Sequence, residues 1–213
     1  MTWAIRYRPM DLRELVDPAH TVILTQEAQK GVIGPESVRR DLYEAARDSG
    51  VLDTMGRLVK AGRAAGCNVI HAIAAHRPDL KGANHNARLF AATEKYKMFQ
   101  TLGTPLVDVI DEIGCEESDL VSMRLHGISP IAGTEVGALL TNLGAQTVIV
   151  VGVSTNVGVT CGVFDAVNLG YQAVVARDAV TGFPASYTDV IIENSLSFVA
   201  TITTTDELIA AWS

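Results

Sequence analysis

The chain lacks the signs of a disulfide framework. Its three cysteines, Cys67, Cys115 and Cys161, are odd in number, and none stands in a CxxC spacing. Reduced, mostly buried thiols of a cytoplasmic protein are the expectation. Positive charge is also short: 17 Lys and Arg stand against 24 Asp and Glu, for a formal net charge of −7. That balance argues against a nucleic-acid or anionic-membrane partner. No apolar run approaches the roughly 20 residues of a membrane span, and Met1–Pro9 has no apolar core of the kind a signal peptide needs. Internal repeats and low-complexity linkers are absent too. One domain over residues 1–213 is expected, with residues 1–20 as a charged, proline-punctuated arm. Hydrophobic residues make up 48% of the chain and mean hydropathy is +0.22. That is enough for a large core and for an apolar surface covered in a homo-oligomer, a dimer or a tetramer.

Short β-branched runs alternate with amphipathic stretches. Thr21–Gln26, Asn68–Ile73, Leu120–Arg124, Thr147–Val153, Gln172–Ala176 and Val199–Ile202 read as strands, nearly continuous in apolar character. Apolar residues at 42, 45, 46, 52, 55, 58, 59 and 62 keep helical spacing, with a break at Ser49–Gly50. Further helices are expected over 133–143 (stopped by Gly144), 157–169, 187–196 and 205–212. Residues 74–104 are the least regular stretch and read as a long functional loop or subunit contact. The pattern implies an α/β fold of three layers, α/β/α, with a mainly parallel sheet covered by helices on both faces.

The run Thr147–Val153 breaks into Ser154-Thr-Asn-Val-Gly158 and then a helix, the place where α/β enzymes gather their reactive groups. Gly152–Cys161 resembles the signature of the isochorismatase-like (cysteine hydrolase) superfamily. Thr25-Gln-Glu-Ala-Gln29, Ser129-Pro-Ile-Ala-Gly-Thr134, Asp165–Tyr171 and Ala176–Val180 follow its order and spacing, so the resemblance covers about residues 20–212. It implies an Asp/Lys/Cys triad at the carboxyl edge of the sheet. Carried over, the Asp position is Glu27, the Lys position is Leu125 between Arg124 and His126, and the Cys position is Gly158. None of the three side chains is kept. One branch of the family, which splits vinyl ethers, has glycine at that last position and works with a proton donor and a water.

These residues imply a small-molecule hydrolase that activates water without a cysteine nucleophile, on a vinyl-ether or C–N bond. Glu27 is the candidate acid/base group, Arg124 or His126 its polar partner, and Gly158 a position that lets substrate approach main-chain N–H groups. The resemblance further implies a cis Val153–Ser154 peptide and an anion-binding floor from the amides of Ser154 and Gly158. Gln29, His76, Arg77, Arg88, Ser154, Thr155 and Asn156 are the candidate substrate contacts. Cys161, one helical turn beyond Gly158, reads as a packing thiol. Nicotinamidase-like members hold a divalent ion through Asp-x-His…His near here, but Ala74 stands two residues before His76, so no metal or other cofactor is expected and His71 reads as a hydrogen-bonded core residue. Two alternatives stay open: a catalytically silent homologue that binds small molecules or acts as a scaffold, and a lyase or isomerase using Glu27 for proton transfer alone.

Overall fold

The computed structural model describes residues 10–213, so the first nine residues of the expected arm lie outside the described residues. Six strands form one parallel sheet: β1 (Thr21–Gln26), β2 (Asn68–Ala74), β3 (Leu120–Arg124), β4 (Thr147–Val153), β5 (Gln172–Thr181) and β6 (Thr201–Thr203). Their spatial order is β3-β2-β1-β4-β5-β6. The order reverses between β1 and β4, and in open α/β sheets the crevice beyond the strand ends at such a point is where ligands bind.

Alternation of side chains along each strand builds two cores. Ile23, Val69, Ile149, Val151 and Val174 face one side and pack with α3 (Arg40–Asp48), α4 (Val51–Ala65) and α9 (Thr205–Ala211) through residues such as Leu42, Met55, Leu58 and Leu208. Val22, Leu24, Ile70, Val148, Val150 and Val175 face the other, against α6 (Val136–Asn142), α7 (Thr160–Asn168) and α8 (Tyr187–Asn194). All seven residues of β4 are buried, and each Val or Ile removed from water there contributes about 1.5–3 kcal/mol. The period-two pattern thus assigns the buried residues of the central strands to one helical layer or the other.

Several boundaries differ from the sequence expectation for local reasons. The expected break at Ser49–Gly50 is a full helix end, because Gly50 takes a left-handed φ of 72° that starts α4 in a new direction. Strand β5 runs five residues past Ala176: its register shifts between Val150 and Gly152, and pairing resumes at Gly152–Val180 and Val153–Thr181. The exposed Arg177 and Asp178 at that shift broke the apolar run from which the strand end was read. Two short helices, α1 (Leu12–Leu15) and α2 (Lys30–Ile33), and the eight-residue α5 (Arg88–Lys95) were not anticipated. The described part of the arm lies on this domain: Arg13 donates to the carbonyls of Ala210 and Ser213, and Trp212 Nε1 donates to Val16 O at 2.8 Å.

Buried polar groups tie the sheet together where apolar packing cannot. His71, fully buried in β2, contacts Thr25 Oγ1 through Nδ1 at 2.8 Å and Asp119 Oδ2 through Nε2 at 3.1 Å. Arg63 of α4 closes the network on Asp119 through Nε at 3.0 Å. Burial pushes the His71 pKa down. Burial also opposes the Asp119 charge, but Arg63, the Glu116 amide and His71 outweigh it and hold the carboxyl below its usual range.

Candidate functional site

A cavity of about 130 Å3 opens at the carboxyl ends of β1, β2 and β3. Its floor is the ion pair between Glu27, just past β1, and Arg124, the last residue of β3. The Arg124 side chain is 5% exposed and that of Glu27 is 22% exposed, so the carboxylate is the member open to the cavity. Glu27 has a φ of 48°. This left-handed conformation costs a non-glycine residue on the order of 1–2 kcal/mol and turns the chain out of the strand ladder after Gln26. Such strain clusters where a side chain must be aimed.

The walls come from the two segments flanking the strand ends. His76, Leu125, His126 and Ile128 stand on one side; Leu89, Phe90, Met98 and Phe99 cover the other. His76 Nδ1 accepts from the Gln100 amide at 3.2 Å, so Nε2 carries the proton of the neutral ring. Burial lowers the His76 pKa, and its ring packs edge-on to Phe99 at 5.3 Å. Glu27 and Glu94 balance Arg39 and Arg124 in the lining, leaving no net formal charge with the histidines neutral. Among the described residues that line the cavity there is no cysteine, serine, lysine or tyrosine.

The structure therefore brings Glu27, Arg124, His126 and His76 to one cavity. It sets the other candidates apart from it. Both ends of the Gln29 carboxamide are taken by main chain: Nε2 donates to Ala74 O (2.9 Å) and Leu106 O (3.1 Å), and Oε1 accepts from Ala74 N (2.8 Å). Gln29 fixes the ends of β1 and β2 instead of presenting a contact to substrate. Arg77 forms a two-point pair with Asp79 at 2.9 Å, which holds that carboxyl at about 2, and Arg88 stands exposed at the start of α5; neither lines the cavity. Thr155, Asn156 and Gly158 lie in a π-helical turn, Thr155–Val159, that follows Ser154 and leads into α7, again outside the lining. The Val153–Ser154 peptide is cis.

The side chain that lies against that turn at Gly158 is Gln26. A Cβ on Gly158 would fall 2.3 Å from Gln26 Nε2. The residue facing position 158 is thus Gln26, whereas Glu27, to which the motif assigned the acid, points into the cavity. Gln26 is fully buried, and neither Nε2 nor Oε1 has a hydrogen-bond partner, a situation that costs about 1–3 kcal/mol per group. In sequence Gln26 is only the last residue of the strand Thr21–Gln26. Its parity with Val22 and Leu24 was the available signal, since period two aims all three at the α7 layer. Cys161 is partly buried on α7, and burial raises its thiol pKa, the opposite of an activated nucleophile.

The residues do not fit a divalent cation at the nicotinamidase-like position. Ala74 offers no ligand, His76 Nδ1 is engaged by Gln100, and Asp79 is held by Arg77. His71, Cys115 and Asp119 lie within 4.8 Å of one another. There the Arg63 guanidinium already supplies the positive charge to Asp119, so the cluster is an ion-pair network of the fold.

The chain shows several likenesses to known proteins. A family model, the isochorismatase domain, matches residues 21–207. An uncharacterised isochorismatase family protein of Bacillus subtilis, YwoC, is 32% identical over 77 residues, covering 36% of this chain and 40% of that relative. Among solved structures, an isochorismatase family protein from Desulfovibrio vulgaris superimposes with a TM-score of 0.77 at 23% identity, covering 90% of this chain and 99% of its own. N-carbamoylsarcosine amidase from Thermoplasma acidophilum gives 0.67 at 20% identity, over 88% and 97%. Among the described residues no helix is long and apolar enough to cross a membrane. With its six-stranded parallel sheet, its crevice beyond the strand ends and a family model that spans most of its length, the chain belongs to the isochorismatase family.

Proposed function

We propose that this protein is a hydrolase for a small, neutral, ring-sized molecule, with Glu27 as the base that activates water and no covalent thioester on the path. The observation that carries the reading is the Glu27–Arg124 pair at the floor of a cavity whose lining holds no cysteine, serine, lysine or tyrosine. The cavity offers a carboxylate to take a proton from water and His76 Nε2–H to donate to a carbonyl oxygen, an arrangement for attack on an acyl carbon. This favours cleavage of a C–N bond over protonation of an enol ether. Water would attack the carbonyl carbon while Glu27 takes its proton; the C–N bond breaks and the nitrogen leaves with that proton. His76 Nε2–H is a donor for the carbonyl oxygen. A cavity near 130 Å3 matches a molecule about the size of benzene, and its balanced lining suits a neutral ligand. The amidase named among the structural relatives acts, by its name, on a C–N bond, which supports the same class.

A second reading has its own support. Gln26 fills the space beside Gly158, where the resemblance places a catalytic cysteine, as it would in a homologue that binds ligand without turning it over. A panel of small neutral amides and enol ethers, assayed with wild type and with Glu27→Gln, separates the two. Turnover by wild type and its loss in Glu27→Gln, with ligand binding kept, is the expected result. Binding by both proteins with turnover by neither would leave the silent homologue.

A further inference from the structure

We infer that Gln26 is a specificity-determining residue: its carboxamide, and not the backbone of Gly158, shuts the Ser154–Gly158 turn to side-chain chemistry. Gly158 is absent from the glycines with left-handed φ, so its backbone is one that any L residue adopts. What a Cβ there would meet first is Gln26 alone: Nε2 at 2.3 Å, Cδ at 2.9 Å and Cγ at 3.0 Å. A side chain at 158 would have to displace the Gln26 carboxamide.

Strand register fixes where that neighbour points. Gln26 pairs with Ala72, Ala72 pairs with Ser122, and Ala74 pairs with Arg124. In parallel strands partners share a face, so Gln26 and Arg124 both project toward the α7 layer, with Gln26 the nearer to the turn. The carboxamide lies against the turn at Gly158, and the cavity lining includes Glu27 and Arg124 but neither Gln26 nor anything from 152–161. Positions 26 and 158 therefore form one steric unit with two allowed layouts: a long amide beside a glycine, or a small residue beside a side chain at 158. In the second layout a group at 158 would sit where main-chain N–H groups begin α7 and favour its anionic form. Gln26 holds the protein in the first layout and confines ligand to the Glu27 cavity. This rests on the proposed thiol-free reading, but it is tested without any substrate.

The test installs Gly158→Cys alone and together with Gln26→Ala, and follows iodoacetamide labelling at position 158 by peptide mass spectrometry. The buried Cys67 serves as internal standard. In the single variant the new thiol should label no faster than Cys67. In the double variant it should label at least about tenfold faster than in the single one. Equal rates in the two variants overturn the inference. Should the single variant fail to fold, Gly158→Ala is made with and without Gln26→Ala, and thermal midpoints are compared. The alanine should lower the midpoint by about 3 °C or more with Gln26 present and by clearly less with Gln26→Ala; an equal loss in both backgrounds overturns the inference. Activity of Glu27→Gln is independent of all these readouts, so failure here and failure of the proposed reaction are told apart.

Discussion

Gln26 and Glu27 are adjacent in the chain and serve opposite sides of the same strand end. Gln26 ends β1 against Gly158, and the left-handed Glu27 turns its carboxylate into the cavity toward Arg124. At this scale Gln29 shows how a motif residue can be structural. Its amide joins Ala74 of β2 and Leu106 to the end of β1. Gln29→Ala should cost about 3 kcal/mol of stability in urea unfolding, because it strands several buried main-chain groups at once. A loss below about 0.5 kcal/mol would show that water replaces the clamp. The carboxylate at 27 and the glycine at 158 were legible in sequence, being defined by order and spacing alone. The roles of Gln26 and Gln29 were not, since both depend on which atoms lie across the strand ends.

Among the elements, the segment around α5 stands out for how little holds it. Residues 77–99 leave and rejoin the body where His76 N donates to Gln100 O at 2.7 Å and Leu102 N donates to His76 O at 2.8 Å. None of the eight residues of α5 is buried, and Leu89 and Phe90 reach the cavity wall. One hydrogen bond from its tip to the body stands out, Gly127 N to Asn84 Oδ1 at 2.6 Å. Asn84→Ala removes a contact of about 1 kcal/mol, and amide exchange within α5 should rise about fivefold while the β-strands keep their protection. Unchanged exchange in α5 would show that the apolar contacts alone close the segment. The sequence reads 74–104 as a long functional loop or subunit contact because polar residues over 76–88 hide the short helix that Leu89 and Phe90 begin. Strands β1 and β4 were legible because they are buried on both faces; β5 was cut short where Arg177 and Asp178 interrupt it.

For the molecule as a whole, acid should be destabilising in a defined window. The folded-state pKa values of His71 and His76 lie below the ordinary histidine value of 6.5 because of burial. Below 6.5 the unfolded chain takes up protons that the folded chain refuses, so stability falls as pH falls through that point. Asp119, held below 3.8, adds a second loss at lower pH. The thermal midpoint should therefore decline from pH 7 toward pH 5, and the decline should be shallower in His71→Gln. An equal slope in that variant would assign the effect to other groups. The parallel sheet between two helical layers and the family were legible at this scale, because alternating β and α runs force strands to lie parallel. That the carboxyl edge holds a Glu27 cavity while Gln26 lies against Gly158 was not legible, because both depend on which atoms meet across the strand ends.

The proposed hydrolysis is thiol-free chemistry at Glu27. Its most direct test is the turnover number of Glu27→Gln beside that of Cys161→Ala, on whichever small amide the wild type hydrolyses. The expected result is a fall of about 10²- to 10⁴-fold for Glu27→Gln, with Cys161→Ala within about threefold of wild type, as for a thiol that only packs. Activity kept in Glu27→Gln and lost in Cys161→Ala would contradict it.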